Sequence, residues 1–348
     1  MAALAVAACG GTYGGAPVEH PKAGGGIEAA ALPYQVVDAR TGTSLDEPAF
    51  WAKLAAARAV CVGEEHSNPH HHWMQLHVVR ELVHRLAKGT PIALAMEMFQ
   101  RPFQGALDDY AAHKIDAQAL RSRAGYADRW GYDYGFYGPT IDAAVAGGGQ
   151  LVAANAAREL TKKVAHHGLE SLTADERAQL PELKLDDAAH RAWFEALMEA
   201  MGGSEAHTRK PDPPDASKPG PSAPTASPRH SDADRDDAAA PDDEMPSAER
   251  IYTVQVIWDE TMADSSAKWL AAHPTGHLIL LAGNGHCHDS AVVGRLKRRG
   301  VADAISIRGV LDDGEGSVAD VLARPINDLL VVLQLPAGVE RGPKPDDK

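Results

Sequence analysis

The chain has 348 residues, of which 44% are apolar and 24% charged, a balance that supports a sizeable globular core and excludes a chain disordered throughout. A formal net charge of -14 argues against nucleic-acid binding, which draws on clustered Lys and Arg. The short basic run Arg295, Lys297, Arg298 and Arg299 reads as one solvated helix end.

The first residues form an apolar stretch ending in Val6-Ala7-Ala8-Cys9, and small residues before a cysteine look like a bacterial lipobox with Cys9 as the lipidated residue. Residues 1–31 therefore read as a lipoprotein signal with a flexible segment behind it, although the positive charge and longer apolar stretch of a secretory signal are missing. No other stretch is apolar over the roughly 18 residues of a membrane-spanning helix. Membrane association would thus rest on the lipid. With only Cys9, Cys61 and Cys287, a dense disulfide framework is excluded, and no Cys-x-x-Cys pair is present. Cys61 lies in an apolar run and reads as a small core residue.

Apolar runs rich in Val, Ile and Leu follow at Ala59 to Val62, Ile92 to Met96, Leu151 to Ala154, Leu278 to Ala282, Ala304 to Ile307 and Leu329 to Leu335. Helix-like stretches separate several of them, which predicts an α/β fold with a largely parallel central sheet and helices on both faces. Asn68 and Pro69 look like the cap and first turn of a helix whose core stripe is Leu76, Val79, Val83 and Leu86. Residues 204–248 contain no Leu, Ile, Val, Phe, Trp or Tyr but nine prolines, so they cannot bury enough apolar surface to offset their ordering entropy. They read as a disordered acidic insertion in a single domain, whose two parts are 32–203 and 249–336. The long helical pattern after the insertion packs back on the first part, and 337–348 is a polar tail.

Four of the runs end alike. Val62 leads to Gly63-Glu64-Glu65-His66, Met96 to Glu97, Ala154 to Asn155, and Ala282 to Gly283-Asn284-Gly285-His286. The carboxyl ends of parallel strands form the ligand-binding edge of such sheets, so two carboxylates, an amide and two imidazoles converge there if these strands are neighbours. His66, Glu97 and His286 are residue types that ligate zinc, manganese or iron, and a carboxylate among them could act as a general base. No His-Glu-x-x-His motif singles out a metal. Of the tract His70, His71 and His72, at most one or two can face His66, because adjacent helical residues point about 100° apart.

The stretch WGYDYGFYGP places Trp130, Tyr132, Tyr134, Phe136 and Tyr137 within eight residues, five of the chain's 19 aromatics. Such clusters ordinarily pack a core or a loop. A flat ring system such as haem would also suit the wall, and a tyrosine phenolate is a known haem ligand.

In order, VCVGEEHSNPHHHWMQ, IALAMEMFQR, GYDYGFYGP, LVAANAARELTKKVA, QVIWDETMA and LILLAGNGHCH resemble the ChaN-like family, over roughly residues 32–336 apart from the insertion. The family's superfamily includes TIKI, TraB and erythromycin-esterase proteins. The resemblance implies haem binding, a role in iron uptake, a lipid anchor at the bacterial cell envelope, most naturally the outer membrane, and pairing of two subunits around stacked haems. It implies tyrosine ligation of the iron and leaves the tyrosine open among Tyr132, Tyr134 and Tyr137, with Tyr110 and Tyr126 just before them. In hydrolytic or metal-dependent relatives the positions matching Glu64, His66, Glu97 and His286 are the reactive centre. A metal-dependent hydrolase using a divalent ion at His66, Glu97 and His286 is accordingly the alternative, and a satisfied buried network in a protein acting only through partners is the third reading.

Overall fold

All six apolar runs are strands of one sheet. The computed structural model describes residues 26–200 and 246–335, apart from 313 and 315. Its strands are β1 (Tyr34–Asp38), β2 (Ser44–Leu45), β3 (Ala59–Glu64), β4 (Ile92–Gln100), β5 (Gln150–Asn155), β6 (His277–Gly283), β7 (Ile305–Asp312) and β8 (Leu329–Gln334), ordered β2-β1-β8-β7-β3-β6-β4-β5. From β8 to β5 every pairing is parallel. The short β1 and β2 close the other edge antiparallel and were too brief to stand out as apolar runs.

The helices are α1 (Glu47–Ala56), α2 (Pro69–Arg85), α3 (Gln104–Ala111), α4 (Ala117–Arg123), α5 (Tyr126–Arg129), α6 (Gly138–Ala146), α7 (Arg158–His167), α8 (Ala174–Arg177), α9 (Ala188–Ala200), α10 (Ala248–Ala272), α11 (Val292–Arg298) and α12 (Ser317–Ala323). Successive strand residues point to opposite faces, and the core divides accordingly. Val60, Val62, Leu94 and Leu281 pack with Leu76 and Leu82 of α2 and Ile141 of α6. Ala59, Ala95, Leu278 and Leu280 pack on the other face with Met262 and Leu270 of α10 and Val293 of α11. Burial on both faces explains why β3, β4 and β6 are continuous rather than alternating apolar runs.

Asn68 caps α2, its Oδ1 accepting from the backbone N–H of His70 at 3.1 Å and of His71 at 3.4 Å, a device worth about 1 kcal/mol. Helix α10 packs back against β5, α7 and α11 as the sequence predicts. Of the segment read as an insertion, Pro246 to Ala248 are described, and Ser247 caps α10 through the N–H of Arg250. The remainder of that segment, the polar tail beyond Leu335, and Cys9 lie outside the described residues.

Cys61 is the buried core residue expected, and it is bonded to Cys287 across 226 positions of chain. One expectation needs correction: the basic run is not wholly solvated. Arg295 is fully buried, and Arg295, Arg298 and Arg299 converge on the buried carboxylate of Glu260 at 3.2, 2.5 and 2.6 Å. Charge compensation from a helix distant in sequence draws these side chains inward, and a local reading of composition carries no sign of it.

Candidate functional site

The ends of β3, β4 and β6 are adjacent, so the residues that follow them meet at one edge. At the close of β3, Gly63 is required: a Cβ there would stand 2.4 Å from Asn284 Oδ1 and 3.2 Å from the Ile307 carbonyl oxygen. With glycine in place, the N–H of Asn284 reaches the Glu64 carbonyl at 2.8 Å and locks the loop after β6 onto β3. In β4, Met96 pairs with Ala153 but Gln100 pairs with Asn155, so four positions of β4 stand opposite two of β5. Such irregularities re-aim side chains next to sites, and Glu97 sits within this one. Asn155 holds the local backbone, donating to the Glu97 carbonyl at 3.1 Å and accepting from the N–H of Ala156 at 2.8 Å.

Glu64 is the hub of one half. Its Oε1 accepts from His66 Nδ1 at 2.6 Å and from the Tyr137 hydroxyl at 2.8 Å, and its Oε2 lies 2.7 Å from His72 Nδ1. Burial works to raise this carboxyl, but the charges and hydrogen bonds of His72 and His66 outweigh it and hold it well below the usual carboxylate range. Burial likewise works to lower His66, and Glu64, helped by Glu97, wins and raises it. The His66 ring stands 4.8 Å from both Trp130 and Tyr132. His72 stacks on Phe136 at 4.6 Å, with its Nε2 3.0 Å from the His66 carbonyl oxygen.

The other half is built around His286. Its Nδ1 lies 2.6 Å from Asp259 Oδ1, and its Nε2 faces Glu97 Oε1 at 3.4 Å. Glu97 Oε2 accepts from the Gly283 N–H at 2.7 Å. Asp259 Oδ2 in turn receives His190 Nε2 at 2.9 Å and stands 3.6 Å from Arg295. Desolvation opposes ionisation of Asp259, and Arg295, His286 and His190 overcome it, so the carboxyl is held far below its ordinary range. Gln255, one turn before Asp259 on α10, donates to the Gly285 carbonyl at 3.2 Å. The bond from Cys287 to Cys61 ties the residue after His286 into β3.

The structure thus places Glu64, His66, Glu97 and His286 in one cluster, with Glu97 facing His286 and its charge felt at His66. Sequence reading left His72 open as one of a tract of which one or two members could face His66, and it missed His190, Gln255, Asp259 and Arg295. One signal was present: Gln255 and Asp259 are polar, four apart and embedded in the apolar helix pattern YTVQVIWDETMA, so one helix face carries both inward. Among the described residues, no group of three or more His, Cys, Asp and Glu side chains is arranged to hold a metal ion.

The three tyrosines differ in access. Tyr137 is fully buried, its hydroxyl given to Glu64. Tyr134 is half-buried, edge-on to Tyr126 at 5.4 Å with Arg121 over its ring at 5.2 Å, and burial pushes its phenol up to about 12. Tyr132 is half-buried beside His66 and 5.5 Å from Trp130. Next to this wall a small cleft opens over the ends of β4 and β5, lined by Glu97, Met98, Arg129, Trp130, Arg158 and Trp258 among others.

A parallel α/β sheet carrying a buried histidine–carboxylate cluster at its strand ends, walled by aromatic residues, defines the class. The particular family follows from its model, described as haem-binding uptake, Tiki superfamily, ChaN, which matches residues 50–296: the chain belongs to the ChaN family. Among solved structures it is similar to ChaN of Campylobacter jejuni, described as binding haem cofacially, with a TM-score of 0.58, 13% identity, and coverage of 86% of this chain and 96% of that one. It is also matched by a mutant of the erythromycin esterase EreC in its open conformation, with a TM-score of 0.41, 10% identity, and coverage of 86% and 97%. No curated protein matches.

Proposed function

We propose that this protein binds haem at the aromatic wall beside the strand-end cluster and serves haem or iron uptake at the bacterial envelope. Membership of a family described as haem-binding carries the reading. The residues fit the group in chemistry: Trp258 offers a partly exposed aromatic face at the cleft, and Tyr132 is half-buried beside His66, while the Tyr134 hydroxyl is enclosed and that of Tyr137 is given to Glu64. Haem would supply an iron that a tyrosine phenolate can ligate. Tyr132 would hold it, while Tyr137 is retained by Glu64 and holds the cluster in place.

Two copies pairing around the ligand is the arrangement in keeping with the cofacial haem of the Campylobacter protein. Anchoring would come from a lipid on Cys9, and the Cys61–Cys287 bond supports an oxidising compartment outside the cytoplasm. Haemin titrated into the purified protein is expected to give a shifted Soret band, which Tyr132→Phe moves and Tyr134→Phe leaves in place. A free-haemin spectrum at saturation would defeat the proposal. Sedimentation with and without haemin tests the pairing. Radiolabelled palmitate incorporated by the natural chain but not by Cys9→Ser tests the anchor.

A further inference from the structure

The loop between α3 and α4 and the second half of α6 line a groove of about 540 Å³, which shares no residue with the cleft beside the strand-end cluster. That volume falls within the roughly 300–1,000 Å³ of sites that take up a whole small molecule. Tyr110, Ile115 and Val145 are half-buried, pack down on the core and give the groove apolar walls. Haem binding at the aromatic wall makes no use of it.

Two exposed carboxylates, Asp116 and Asp142, stand among these walls. Tyr110 gives its one hydroxyl proton to Asp142 at 2.5 Å. Burial and that bond push the phenol above its ordinary range, so the proton stays on Tyr110 at neutral pH. The pair is left with lone pairs and a negative charge, and with no hydrogen to donate. Asp116 is in a similar position: its Oδ1 accepts the N–H of Ala119 at 2.8 Å and caps α4, and a carboxylate has only further acceptor capacity to offer. No cation pairs with either carboxylate among the described residues. Lys114 also lines the groove, but Asp109 draws it away at 3.2 Å and takes Arg123 at 2.9 Å as well.

These features select the ligand. Acceptors without donors call for N–H groups, and carboxylates without a counter-ion call for positive charge. An aromatic ring such as that of Tyr110 also attracts a cation, and Ile115 and Val145 suit carbon beside the charge. We infer that the groove is a binding site for a small organic ammonium ion with an apolar body, with Asp142 as the residue that selects its charge.

The test uses three probes that share a ring: protonated phenethylamine, phenylacetate, and the trimethylated phenethylammonium ion, which keeps the positive charge but has no N–H. Binding to the full chain is followed by ligand-observed nuclear magnetic resonance, which reads weak affinities. The natural protein is expected to bind the protonated amine at least about fivefold more tightly than phenylacetate, roughly 1 kcal/mol. It is also expected to prefer the amine to the trimethylated ion. Asp142→Asn is expected to bring the affinities for the amine and phenylacetate together. Asp142 is exposed on α6, so the change leaves the fold intact, and an unaltered Tm verifies this. Any one of three results overturns the site: no saturable binding of the amine, equal affinity for either of the other probes, or a preference that Asp142→Asn leaves unchanged.

Discussion

The two halves of the strand-end cluster use one motif for different ends. In each, an imidazole Nδ1 lies 2.6 Å from a buried carboxylate, Glu64 behind His66 and Asp259 behind His286. His66 remains 7% exposed and touches Trp130 and Tyr132, whereas His286 is fully enclosed, its carboxylate bound further to His190 and near Arg295. A buried carboxylate that fixes a ring nitrogen sets the orientation of the imidazole in both cases. What differs is what lies beyond: an aromatic wall on one side, and a network of buried charges on the other. On the proposed function the β3 half would be the recognition side and the β6 half scaffold.

The largest test of that contrast is Asp259→Ala, which leaves Arg295 and two imidazoles without their common carboxylate. Removing one partner of a buried charge network costs about 3–5 kcal/mol, a loss of roughly ten degrees in Tm, and thermal unfolding should show it. Next, Cys61→Ala with Cys287→Ala should cost about 2–5 kcal/mol in denaturant unfolding, because the bond holds the His286 loop to β3.

Acid should reach the protein through buried histidines. Burial pushes His71 and His277 down to about 4 and His288 down to about 3, while all three take up protons nearer pH 6.5 when unfolded. Between those values the unfolded chain binds more protons than the folded one, so stability rises with pH across roughly pH 4 to 6.5 and falls as pH drops through it. His288→Gln should flatten the Tm-versus-pH curve over that window. The smallest effect on stability is expected from His66→Gln, about 1 kcal/mol, accompanied by a change in the haemin spectrum. If instead His66→Gln unfolds the protein as readily as His286→Gln, the division into recognition and scaffold halves fails.

Much of the sheet was legible because a strand buried on both faces is apolar throughout, and runs such as Ile92 to Met96 have the length of a strand rather than of a helix. The strand-end residues were legible for the same reason: Glu64, Glu97 and His286 interrupt or follow such runs. The partners that hold them were not. Asp259 and Gln255 lie on a helix beyond the insertion, and His190 lies before it, so only tertiary contact links them to His286. His72 sits in a tract of which helix geometry lets one or two members face His66, and its role as a partner of Glu64 depends on the turn that brings α2 back over β3. The pairing of Cys61 with Cys287 was equally hidden, since neither spacing nor cysteine count specifies it.

That bond also bears on what a protease can do. Cys61 and Cys287 enclose the whole stretch between them, including residues 204–245 with their many prolines and acidic side chains. A chain cut once anywhere in that stretch remains one covalent molecule, migrating as an intact species until a reductant separates its fragments. Under oxidising conditions, the peptide backbone between β3 and the His286 loop is a redundant connection.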